Sequence, residues 1–103
     1  MNRWEKAQIN EKDFWKIRRK LRPLIRPEYS SYIKLIKKYI LMNKNTKILE
    51  VCSGPQTLVE QMNGKLYGLD PLMDYFLSTY KMNDKVNWKQ GIGESLPYKN
   101  SFF

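Results

Sequence analysis

Three features of this chain could together hold a nucleoside: a glycine-bearing turn, a single carboxylate, and a second loop rich in small residues. The turn is Glu50-Val51-Cys52-Ser53-Gly54-Pro55, the carboxylate is Asp70, and the loop is Gly91-Ile92-Gly93-Glu94-Ser95-Leu96-Pro97-Tyr98. Gly54 lets backbone approach a bound group, and the start of a following helix is expected to offer free amides for a carboxylate or phosphate. A carboxylate about 20 residues beyond such a turn is placed to accept hydrogen bonds from both hydroxyls of a ribose. Backbone in the last loop could meet a flat base edge. Each feature also has a plain structural reading: Gly-Pro as a turn, Asp before Pro as a helix start, Gly91 and Gly93 as a flexible connection. Their order and spacing favour the ligand.

Elements that could position these residues follow from periodicity. Lys47 to Val51, Leu66 to Leu69 and Val86 to Trp88 read as short strands, each followed by a turn. Thr57 to Met62 and Leu72 to Tyr80 read as helices between them, with Pro71 at or near the start of the second. Strands alternating with helices predict a parallel sheet, and ligands bind at the carboxyl ends of its strands. Two helices are expected upstream. The first is capped by Asn10, with Glu11 and Asp13 in its opening turn, and stops before Pro23. The second starts near Pro27 and buries Tyr29, Tyr32, Ile33, Ile36, Tyr39 and Ile40 as a stripe, ending at Asn43 and Asn45.

Composition narrows the chemistry. The 103 residues fit one small domain, and 42% hydrophobic residues with 14% aromatics exclude a wholly disordered polar tail. Histidine is absent, which excludes histidine acid–base catalysis, Ser–His triads and histidine metal sites. Lone Cys52 has no partner for an internal disulfide or a cysteine-rich zinc site, so a cytoplasmic location and no metal are expected. No run of 18 apolar residues is present, and the first residues lack the apolar core of a secretory signal. Residues 1–47 carry 14 Lys/Arg against four acids, whereas residues 48–103 carry five Lys against six acids. The basic run from Lys16 to Arg26 reads as a surface for nucleic acid or an anionic membrane, or as the solvated face of an amphipathic helix.

ILEVCSGPQT, KLYGLDPLMDYF and GIGESLPYKNSFF resemble the first three motifs of class I S-adenosylmethionine-dependent methyltransferases, over about residues 30–103. The resemblance implies an α/β fold with a Rossmann-like, doubly wound parallel sheet, here limited to about three strands and preceded by two helices. It divides the chain into a basic helical segment, 1–26, and the N-terminal half of a methyltransferase-like domain, 27–103. It implies S-adenosylmethionine as cofactor and methyl transfer to an acceptor that the sequence leaves open, as it does any catalytic residue.

By the same resemblance, Glu50, Cys52 and the turn through Gly54 face the methionine part. Asp70 holds the ribose hydroxyls, Leu72 packs on adenine, and Gly93 and Glu94 pass the adenine edge. Of the usual Gly-x-Gly-x-Gly only Gly54 remains, with Cys52 and Gln56 in the outer places, and Ile92 replaces a common acid. A side chain at Cys52 is expected to narrow the site or force a different turn. The family sheet has seven strands, so Ile48–Val51 is expected to form an exposed apolar edge, and the chain to be a truncated fragment with little turnover. Two alternatives stand beside this: a basic nucleic-acid-binding module on a βαβ scaffold, using Trp4, Trp15 and Tyr29 for stacking, and a non-catalytic methyltransferase relative.

Overall fold

A computed structural model describes residues 1–21 and 30–103. Helix α1 (Arg3–Leu21) and helix α2 (Ser30–Tyr39) precede a β-α-β-α-β unit. Strands β1 (Lys47–Val51), β2 (Lys65–Asp70) and β3 (Val86–Gln90) form one open parallel sheet in the order β1-β2-β3. A 3-10 helix (Leu58–Gln61) links β1 to β2, and helix α3 (Met73–Thr79) links β2 to β3. The expected α/β architecture is therefore present, with β1 at an edge of the sheet.

In-register pairing puts Ile48 beside Leu66, and Leu66 beside Val86. Successive strand residues face opposite sides, so these three share one face. That face packs with Ile33 and Ile36 of α2 and with Val59 and Met62 around the 3-10 helix. Full burial of side chains such as Leu69, Met73 and Phe76 contributes about 1.5–3 kcal/mol each. On the reverse face Tyr67 gathers Tyr98, Phe102 and Phe103 edge-on, with ring centroids 5.2–6.0 Å away. Lys47 donates to the Phe102 carbonyl at 3.0 Å and lies 3.9 Å from that ring's centroid, fixing the tail across β1 and β2.

Gly68, in the central strand, makes room for Trp88. A methyl group at Gly68 would lie 2.6 Å from two ring carbons of that indole, so no larger residue fits without movement. The Trp88 indole N–H then donates to the Asn83 carbonyl at 2.8 Å.

Two helix expectations need correction. The first helix begins at Arg3 rather than after Asn10, because Asn2 and Glu5 cap each other's amides at 2.8 Å. The second helix buries Ile33 and half-buries Ile36, but Tyr32 and Tyr39 are 62% and 73% exposed, so its aromatic stripe is not core. The expected stop before Pro23, the start at Pro27, Tyr29, the 26/27 boundary and residues 22–26 of the basic run lie outside the described residues. Among the described residues no helix is long and apolar enough to cross a membrane.

Candidate functional site at the strand tips

Asp70 closes β2, and its carboxylate ties two turns together. Its Oδ2 accepts the Gly54 amide at 2.9 Å, and its Oδ1 accepts the Leu72 amide at 2.9 Å. The turn after β1 and the turn before α3 are thus joined by one buried side chain. A carboxylate has about four lone-pair positions, so two remain for other donors.

The turn after β1 has a glycine-like backbone at Cys52. Cys52 has φ 57° and Gly54 has φ 63°, both in the left-handed region. For Cys52 that conformation costs about 1–2 kcal/mol. The turn is held by two tertiary bonds: the Ser53 amide bonds to the Leu69 carbonyl at 3.1 Å, and Asp70 accepts the Gly54 amide. These bonds over-determine the turn. Cys52 is exposed, yet desolvation first, and then the Asp70 and Glu94 carboxylates, push its thiol pKa up. A raised pKa disfavours the thiolate, so Cys52 is a poor nucleophile.

Helix α1 supplies the opposite wall. Trp15 lies over the Gly54 turn, with one ring carbon 3.8 Å from where a side chain at Gly54 would begin. Its ring also meets Phe76 at 5.3 Å and Tyr80 at 6.2 Å, both edge-on. The indole N–H donates to Glu11 Oε1 at 3.1 Å, one helical turn earlier. Between α1 and the strand tips is a cavity of about 400 Å³, lined by Glu11, Trp15, Cys52, Gly54, Asp70 and Phe76 among others. That volume suits a small-molecule ligand, for which about 300–1,000 Å³ is usual.

The structure gathers most, but not all, of the residues singled out from sequence. Cys52, Gly54 and Asp70 share the cavity. Leu72 joins them through its amide and is itself half-buried. Gly93 stands at the tip of β1, where a methyl group would lie 3.1 Å from Val51 Cγ1, and Glu94 is near enough to act on the Cys52 thiol. Glu50 points elsewhere. Its Oε2 accepts the Leu58 amide at 2.8 Å, and it lines a separate groove beside α2. Burial raises the Glu50 pKa, opposed by the Leu58 and Val59 amides, while Glu60 adds to the rise.

The free amides expected at the helix start are already used. Thr57 and Glu60 form a capping box, Leu58 donates to Glu50, and Val59 donates to Thr57 Oγ1. No anion cradle is left there.

Sequence reasoning missed the α1 wall. The Glu11–Trp15 spacing of four was visible, but nothing in the sequence said that this helix folds over the strand tips. Among the described residues no group of three or more His, Cys, Asp or Glu side chains could hold a metal ion. Comparisons with protein-family models, curated proteins and solved structures find no match to this chain.

Proposed function

We propose that the cavity between α1 and the strand tips binds S-adenosylmethionine and that the chain serves methyl transfer to an acceptor not yet assigned. The observation that carries this reading is the Asp70 carboxylate, held at the end of a parallel strand by the Gly54 and Leu72 amides and facing the cavity. Its two remaining lone-pair positions match the two hydroxyls of a ribose. Gly54 keeps the floor low, and Trp15 forms part of the opposite wall. When bound, the cofactor supplies an activated sulfonium methyl, so this chain's contribution is binding and orientation.

A titration of S-adenosylmethionine into isotopically labelled protein tests this. Saturable NMR shifts concentrated at the Gly54 and Leu72 amides and the Trp15 indole N–H are expected. Absence of shifts, or shifts only at α2, would sink it.

A second reading has one observation in its favour. Tyr32 and Tyr39 are exposed on α2 among Lys34, Lys37 and Lys38, with Lys38 Nζ 5.4 Å from the Tyr39 ring centroid. Exposed aromatics between lysines suit single-stranded nucleic acid. Strong binding of an oligonucleotide that falls steeply with salt, together with indifference to S-adenosylmethionine, would select that reading.

A further inference from the structure

The chain has 19 lysines and arginines, yet none is among the described residues that line the cavity. Its charged lining groups are the carboxylates of Glu11 and Asp70. Glu94 lies close enough to add to the negative field felt at Cys52. Arg18 is 5.6 Å from the Trp15 ring centroid but is not part of the lining. The lining amides that could greet an anion are consumed within the protein: Gly54 by Asp70, and Ser53 by the Leu69 carbonyl. Both charge and hydrogen bonding therefore oppose an anionic ligand and favour a cationic one.

We infer that Glu11 is a specificity-determining residue that makes the cavity prefer the sulfonium cofactor over its thioether product, which lacks the sulfonium charge. This rests on the cofactor reading above and adds a direction to it. Glu11 is held in place by the Trp15 indole N–H, which bonds one carboxylate oxygen; among the described residues the other has no donor. Two unit charges a few Å apart near a protein surface attract by more than a factor of ten in affinity before screening. Glu11 is exposed, so salt weakens this effect. The functional consequence is that loss of the methyl group and its charge loosens the product, and product inhibition is weak.

S-Adenosylmethionine and S-adenosylhomocysteine differ by one methyl and one charge, and isothermal titration of each measures the preference without turnover. Wild-type protein at low salt should bind the sulfonium compound about tenfold more tightly, and the ratio should shrink as salt rises. Glu11→Gln keeps an oxygen for the Trp15 N–H, so the α1 wall is preserved. It should bring the two affinities within about threefold by weakening only the sulfonium compound. Equal affinities in the wild type, or a preference untouched by Glu11→Gln, overturn the inference while thioether binding leaves the cofactor reading standing. Binding of neither compound overturns both.

Discussion

Replacing Asp70 by Asn tests the joint on which the site depends. The carboxylate accepts two amides from different turns, each at 2.9 Å, and the residue is only 9% exposed. Hydrogen bonds to a charged group contribute about 1.5–3 kcal/mol each. Asn offers one oxygen and one N–H₂ group, so one bond becomes neutral and weaker. At the other oxygen position an N–H then faces an N–H, leaving a donor unsatisfied. The summed loss is about 3 kcal/mol. In a domain of this size each kcal/mol moves Tm by about 4–8 °C, so a fall of about 12–24 °C is expected. Urea unfolding followed by circular dichroism measures the loss directly. Asp84→Asn, on an exposed turn, is the reference and should change stability by less than about 0.5 kcal/mol. A loss under about 1 kcal/mol for Asp70→Asn would refute the view that this side chain clips the two turns together.

Two further outcomes are expected. Gly68→Ala should destabilise by more than about 2 kcal/mol, because the new methyl falls 2.6 Å from the Trp88 ring. Gly54→Ala should cost only about 1–2 kcal/mol, from its φ of 63°, since Trp15 at 3.8 Å leaves room for the methyl; equal losses for the two variants in urea titrations would contradict the packing described. The raised Glu50 pKa makes its contribution to stability fully present below its ordinary value of 4.5 and lost as pH rises through the folded value. Glu50→Gln should therefore match the wild type near pH 4 and exceed it at pH 7, and the opposite trend in unfolding free energy would contradict burial as the cause.

The sheet was legible because its strands are short apolar runs closed by Gly, Asp or Pro, and those signals are local. The 3-10 helix and α3 followed from similarly local patterns. Asn2-x-x-Glu5 was also a readable capping signal, but the acids after Asn10 competed with it. The exposure of Tyr32 and Tyr39 was not legible, since helical spacing shows which residues share a face but not how much sheet is available to cover them. Cys52 marks the same boundary. Its left-handed backbone sits beside tertiary bonds at the next two residues, Ser53 to Leu69 and Gly54 to Asp70, which no local signal encodes. Trp15 over Gly54 is a tertiary contact between residues 39 positions apart, and no local signal encodes it.

The two walls of the cavity are unequal in strength. The inner wall is stitched by amide bonds to a buried carboxylate, whereas the described contacts holding Trp15 against α3 are aromatic edges and a 3.5 Å bond from the Tyr80 hydroxyl to the Trp15 carbonyl. Such ring pairs are worth about 0.5–1.5 kcal/mol apiece. A guest too bulky for the space would therefore displace the α1 wall before it disturbed the inner one. The upper limit on guest size is set by how readily one tryptophan lifts, and a bulkier guest gains entry at the cost of a few ring contacts.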